Sequence, residues 1–380
     1  GNTTRNACHN NNMGGSHGYS YRSAQHQTDW VIFLPLFLLG LVGLFVLLTT
    51  NTALFWQQLL FLVIGGVIIW FFSGLDAIIL WWFAPYGYVL SLLLLVASYF
   101  GEPIRGASRW IVIGGAQLQP SEIVKPLLIL AFARMCVTYS PRSWRWLLLH
   151  AGFFAVPFFL VFRQPDLGTS IVYASSWLAM MVAGGFPLVI FLLGGVVGAL
   201  GYPVFWHALA NYQKSRIITF LNPAIDPQGA GYNALQAMIA VGSGQLFGRG
   251  LGMGTQSHLR FLPEYHTDFI FATLVEELGF IGGLLLLLLY GVLLWQLIRP
   301  YLRGSIGNPF VFFYTIGLFG VLLTQVVINV GMNMGIIPVT GITLPFVSYG
   351  GSSILSLCVA FGLLLALRRI GSDEGSIAIG

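Results

Sequence analysis

The feature that most limits what this chain can fold into is a succession of apolar windows about twenty residues long. Ten follow one another: Trp30–Leu48, Ala53–Phe72, Ala77–Phe100, Pro120–Val137, Trp146–Phe162, Gly168–Gly184, Phe186–Trp206, Phe269–Ile298, Pro309–Met334 and Leu344–Leu367. Helices of that length cross a bilayer, where the backbone must satisfy its own hydrogen bonds. Only 8% of the 380 residues are charged and 57% are hydrophobic, whereas a soluble domain carries about a quarter charged residues. The chain therefore reads as all-α, a polytopic integral membrane protein with ten transmembrane helices and a large extracytoplasmic loop.

Three segments follow from this pattern. Residues 1–29 are rich in Asn, Gly, Ser and His and lack an apolar core. They read as a disordered tail, native or added for expression, and not as a signal peptide. Residues 30–370 form the transmembrane domain, interrupted by the loop 207–268, and 371–380 form a short cytoplasmic tail. Loops that long are uncommon unless they do something; within this one, Tyr232–Val241 reads as a short amphipathic helix.

Lys and Arg in short loops set orientation. With the N-terminus inside, nine arginines fall on the cytoplasmic side (Arg5, Arg22, Arg134, Arg142, Arg145, Arg299, Arg303, Arg368, Arg369) and three outside (Arg105, Arg109, Arg163). Ten spans then put both termini in the cytoplasm and the long loop outside. The net charge of +5 is explained by this placement, and no nucleic-acid partner is implied. The three cysteines, Cys8, Cys136 and Cys358, are scattered without metal-ligand spacing; the latter two read as small apolar residues of helices.

Against this background the polar residues stand out. Of twelve acidic residues, four lie between Glu264 and Glu277, beside His266 in the stretch Phe261–Ile270. Pro263 can start a helix, which would put Glu264 and Asp268 on one face of its first turns. Acids there suit the helix dipole, but four carboxylates exceed that need, and a water-facing carboxylate beside cations can act as a general base. Glu122 and Lys125, spaced i, i+3 after Pro120, form either an internal ion pair or a functional pair. Arg163-Gln164-Pro165-Asp166 alone reads as a salt-bridged turn. Lys214, Arg216, Arg249 and Arg260 in the long loop suit diphosphates or acidic membrane lipids.

Gln325, Asn329 and Asn333 make a polar stripe every four residues, which reads first as interhelical hydrogen-bond glue. Ser348, in the small and hydroxylated stretch opening the last span, fits either close packing or substrate contact. The run Gly248–Gly254 lacks the Lys and the strand–helix context of a phosphate loop, so its glycines read as tight turns. No zinc or Ser-nucleophile signature occurs.

Several stretches together resemble the SEDS family (shape, elongation, division and sporulation), and its rod-shape branch more than its division branch. They are Arg109-Trp110-Ile111, Gln119–Lys125, Gln164–Thr169, Gly231-Tyr232 with Gln236, Gly254–Ser257, Phe261–Gly279 and Pro345–Gly351. Asn222 stands where rod-shape sequences often have Asp. The resemblance implies a peptidoglycan glycosyltransferase of the bacterial inner membrane that polymerises lipid II, expelling undecaprenyl diphosphate, during cell elongation. It implies Asp268 as the catalytic general base. Glu122, Lys125 and Asp166 match the family's other charged cavity positions and Arg109 and Trp110 the motif preceding them; with Arg216, Glu264, His266 and Ser348, added from the residue reading above, they make the expected substrate site. Lys125 and Arg109 would balance the diphosphate, with Asp166 and Glu122 holding the cations in place. The expected partner is a class B penicillin-binding protein. No metal-binding residues are assigned, and an assisting divalent cation is left open. A lipid II flippase, a non-catalytic scaffold for the transpeptidase and a division paralogue are the competing readings.

Overall fold

The computed structural model describes residues 17–101, 110–113, 116–201, 206–207, 211–222, 230–304 and 307–370. Helix α1 (His17–Thr50) is followed by α2 (Thr52–Ser73) and α3 (Ala77–Ala97). A small antiparallel hairpin of β1 (Ile111–Ile113) and β2 (Ala116–Leu118), with Ile111 opposite Leu118, leads into α4 (Pro120–Ile123) and α5 (Lys125–Thr138). Then come α6 (Leu147–Arg163), α7 (Leu167–Ala183) and α8 (Leu188–Leu200). The long connection carries α9 (Asn211–Leu221), α10 (Ala230–Ser243) and α11 (Thr255–His258), and the chain closes with α12 (Ile270–Leu302), α13 (Pro309–Asn333) and α14 (Gly351–Ile370).

The polytopic helical architecture is as expected. Among the described residues, seven helices are long and apolar enough to cross a membrane: Val31–Thr50, Thr52–Ser73, Ala77–Phe100, Trp144–Arg163, Ile270–Leu302, Pro309–Asn333 and Gly351–Arg369. The other three expected spans are shorter helices, α5, α7 and α8, of 14, 17 and 13 residues. Helix α1 begins at His17, inside the segment expected as disordered tail; adding residues to an existing helix needs no new nucleus. The last span begins at Gly351 and not at Leu344, because residues 341–350 are turns and irregular chain.

α13 and α14 are the most buried spans, while α2 and α3 present Trp56, Leu60, Trp70, Ile79 and Trp82 outward as lipid-facing surface. Close helix contacts depend on small residues. A Cβ on Gly65 of α2 would lie 2.5 Å from Cys358 Sγ of α14, and one on Gly362 would lie 2.8 Å from Phe72 Cβ. Cys136 and Cys358 are buried free thiols, in keeping with their reading as small apolar residues.

Two helix breaks shape the polar end. Pro126 has no N–H to give the carbonyl of Glu122, four residues back; Ser356 Oγ of α14 donates to that carbonyl instead, at 2.6 Å. Helix α12 is broken at Gly279, whose φ of 71° and ψ of −169° are non-helical. The segment 244–250 crosses this break and bonds to the backbone groups it frees. Arg249 N donates to Glu276 O (2.9 Å) and Gly250 N to Glu277 O (3.1 Å), while Phe280 N donates to Gln245 O (2.8 Å) and Ile281 N to Leu246 O (3.2 Å). Only glycine fits at the crossing, since a Cβ on Gly248 would sit 2.0 Å from Glu277 O.

Candidate active site

The hairpin delivers Gln119 and α4 beside the N-terminus of α7. Asp166 caps α7, its Oδ1 accepting from Thr169 N (3.1 Å). Its Oδ2 accepts from Gln119 Nε2 (2.8 Å) and Ser121 Oγ (3.4 Å). Tyr173 Oη of α7 donates to Ser121 O (2.6 Å), locking α4 to α7. One turn further on, Lys125 Nζ donates to Glu122 Oε2 at 2.5 Å, with both residues buried. The expected Glu122–Lys125 contact therefore forms. Among the described residues, the partners of the Asp166 carboxylate are an amide, a hydroxyl and a backbone N–H.

Asp268 lies in a second group. The expected helix from Pro263 does not form: residues 263–269 are turns and α12 begins at Ile270. Glu264 sits in the left-handed region, with φ of 54°, and its carbonyl accepts from Thr267 N (3.1 Å) and Phe269 N (3.2 Å). Its carboxylate accepts from Thr267 Oγ1 at 3.0 Å. Asp268 follows, half-buried. Its carbonyl accepts from Asn329 Nδ2 (2.9 Å) and Asn333 Nδ2 (3.0 Å). Two residues of the stripe on α13, Asn329 and Asn333, thus act as interhelical glue, and their target is the backbone of the site.

The non-helical segment 340–350 joins the two groups. Gly341, with φ of 76°, passes Asp268 so closely that a Cβ there would lie 3.4 Å from Oδ2. Ile342 packs on Gly168 near the α7 cap, where a Cβ would come within 2.6 Å. Asn329 Nδ2 donates to Ile342 O at 2.7 Å. Ser348 is buried and structural in its contacts: its Oγ donates to Thr267 O (2.6 Å) and accepts from Leu344 N (2.7 Å). Tyr349 N donates to His266 O (2.8 Å), with the two rings 5.8 Å apart. Burial pushes the Tyr349 phenol above its ordinary value. At the end of the segment, Ser352 Oγ accepts from Gln119 N at 3.4 Å.

Arg216 of α9 reaches the same segment, donating from its guanidinium to Thr340 O at 3.2 Å. It lines a cavity of about 160 Å³ with Asn233, Met238, Met332 and Ile337. Trp110 is half-buried where the hairpin begins, with its carbonyl against Gly101. Arg109 lies outside the described residues.

Glu276 and Glu277 do not join the carboxylate cluster. Glu276 is fully buried; its Oε1 accepts from Gln256 N (2.8 Å) and its Oε2 from Ser257 N (3.2 Å) and Ser257 Oγ (3.1 Å). Glu277 accepts from Thr49 Oγ1 (2.9 Å), Gly252 N (3.3 Å) and His258 Nε2 (3.0 Å). Both pin the glycine-rich segment and α11 onto the broken helix. Among the described residues, no group of three or more His, Cys, Asp or Glu is placed to hold a metal ion.

Fold and site together define a polytopic helical membrane protein with a built polar centre, in which Asp268 and Glu264 keep partial exposure while Asp166, Glu276 and Glu277 are buried in hydrogen bonds. The family model for the cell cycle proteins FtsW, RodA and SpoVE matches residues 26–372, and the chain belongs to this family, the SEDS proteins. It is 41% identical over 290 residues to the peptidoglycan glycosyltransferase MrdB of Escherichia coli (strain K12), covering 75% of this chain and 77% of that one. The crystal structure of Thermus thermophilus rod shape determining protein RodA superposes with a TM-score of 0.68 at 29% identity, covering 92% of this chain and 98% of that chain. A chain from the work titled "Structural coordination of polymerization and crosslinking by a peptidoglycan synthase complex" superposes with a TM-score of 0.78 at 30% identity, covering 91% of this chain and 98% of its own.

Proposed function

We propose that the chain is a peptidoglycan glycosyltransferase that polymerises lipid II during cell elongation, with Asp268 as general base. The Asp268 carboxylate takes the proton of the acceptor hydroxyl as that oxygen attacks the anomeric carbon of the donor. The bond to the donor's diphosphate breaks, and undecaprenyl diphosphate leaves. The observation that carries this reading is the contrast among the site's acids. Glu122, Asp166, Glu276 and Glu277 are buried, while Asp268 keeps partial exposure on a backbone held by Asn329 and Asn333 of α13. A base must be rigidly placed yet reachable by substrate.

Lys125 and Arg109 balance the diphosphate, and Glu122 holds Lys125 in place. Arg216, Trp110, Glu264, His266 and Ser348 belong to the substrate site, Ser348 through its grip on Thr267. The site faces outward across the inner membrane, with both termini cytoplasmic, as the arginine distribution supports. The rod-shape branch is supported by Gly254–Ser257 and by the names of the relatives MrdB and RodA. A class B penicillin-binding protein is the partner, in line with the peptidoglycan synthase complex among the structural neighbours.

The test uses labelled lipid II in liposomes holding the purified chain and its transpeptidase. Wild type makes glycan strands and Asp268→Ala makes none. Transbilayer movement of lipid II without polymer from wild type would replace this reading with a flippase, and cell-wall elongation supported by the Asp268→Ala protein would replace it with a scaffold.

A further inference from the structure

The backbone of Asp268 is held by side chains of another helix, and the same side chains complete the start of its own helix. Asn329 and Asn333 are both fully buried. Asn329 Nδ2 donates to Asp268 O (2.9 Å) and to Ile342 O (2.7 Å), so one amide ties together the two backbone segments that pass each other at the Asp268 carboxylate. Asn333 Nδ2 donates to Asp268 O (3.0 Å) and to Asn329 O (2.7 Å). Two N–H donors therefore converge on one carbonyl oxygen with two lone pairs.

The acceptor side of Asn333 matters as much. The first N–H groups of a helix have no partner within it. Phe269, the capping residue of α12, makes no side-chain cap. The N–H of Ala272, third residue of α12, instead donates to Asn333 Oδ1 at 3.1 Å. The acceptor for this donor thus comes from α13. Gly341, passing within van der Waals reach of Oδ2, leaves open space that a side chain would fill.

We propose that Asn329 and Asn333 are positioning residues for the reaction: they fix the Asp268 backbone to α13 and the 340–344 segment, and Asn333 ties the first turn of α12 to α13 as well. This rests on the reading of Asp268 as general base. Neither asparagine touches the reacting atoms, so their removal affects the rate of the chemical step and leaves substrate affinity in place.

The experiment measures kcat and KM for lipid II with the purified chain in complex with its class B partner, alongside the thermal midpoint. The variants are Asn329→Ala, Asn333→Leu and Asn333→Asp, with Asp268→Asn in parallel. The last asparagine variant keeps an acceptor for Ala272 N and loses the donor to Asp268 O. Small displacements of a catalytic group cost up to about 100-fold in rate. The expected result is a fall in kcat of about 10- to 100-fold with KM within about twofold, smaller in Asn333→Asp than in Asn329→Ala. A merely structural role lowers the midpoint and yield but leaves kcat of the folded complex unchanged. That outcome, with Asp268→Asn inactive, overturns this inference and spares the base. Normal polymerisation by Asp268→Asn overturns the base and this inference with it. Should Asn329→Ala not assemble, Asn329→Ser, which keeps a small donor, gives the same comparison.

Discussion

Glu276→Ala removes one buried carboxylate and strands the donors that converge on it. Gln256 N and Ser257 N donate at 2.8 and 3.2 Å, Ser257 Oγ at 3.1 Å, and Thr255 Oγ1, itself held by Arg249, at 3.3 Å. A buried donor left without its acceptor costs about 1–3 kcal/mol. The two hydroxyls can turn to other partners, and water can enter the vacated space, so the lower end for the two backbone N–H groups applies, about 2 kcal/mol. The loss falls on segment 244–262 and not on the spans, since Glu276 O keeps its own bond from Arg249 N. At about 1.4 kcal/mol per tenfold, the open population of that segment rises roughly thirtyfold. Trypsin reads this directly, because the exposed Arg249 and Arg260 bracket α11, and cleavage tracks the open population when reclosing is fast. Cleavage after both arginines should quicken by about thirtyfold in Glu276→Ala, and by less in Glu276→Gln, which keeps one acceptor. Wild-type cleavage rates in the alanine variant would refute the view that Glu276 anchors the segment leading into the site.

Gly279→Ala should lower the thermal midpoint and the yield of monodisperse protein by the equivalent of at least about 2 kcal/mol. Its Cβ would sit 2.3 Å from Gly248 N, whereas Gly291→Ala in the same helix, with nothing within 4 Å, should be near neutral. Asp166→Asn turns one acceptor towards the donors Gln119 and Ser121, or towards Thr169 N, and should destabilise by about 1–3 kcal/mol in a thermal melt. For Tyr349 the folded state favours the neutral phenol, so its contribution is complete below the ordinary value of about 10 and is lost as pH rises through the higher folded value. The midpoint difference between wild type and Tyr349→Phe should hold constant from about pH 6 to 9 and shrink above about 10.

Spans were legible because hydropathy over twenty residues reports a bulk property, and every expected span has a helix at its place. Their ends were not. The hydropathy of Leu344-Pro345-Phe346-Val347 matches a span, but this segment is a turn, closed locally by Ser348 and held by the distant Tyr290, which donates to Pro345 O. The acidic motif was visible as a cluster, yet a linear count could not separate Asp268 from Glu276 and Glu277. That separation comes from the break at Gly279 and from segment 244–258 folding back on both glutamates. The stripe of Gln325, Asn329 and Asn333 was readable from its spacing alone. What it grips was not, because the Asp268 carbonyl carries no sequence signal. Lys125 with Glu122 followed from i, i+3 spacing, whereas the neutral partners of Asp166 depend on how α4 meets α7.

The most direct test of the account is the initial rate of glycan-strand formation from lipid II by wild type and Asp268→Asn, each folded and bound to its transpeptidase. The exchange keeps size and shape and removes only the basic oxygen, and general-base catalysis contributes about 10²–10⁴-fold. A rate reduced at least about a hundredfold at unchanged lipid II binding is the predicted result. A rate within a few-fold of wild type would contradict the role of Asp268 on which the account stands.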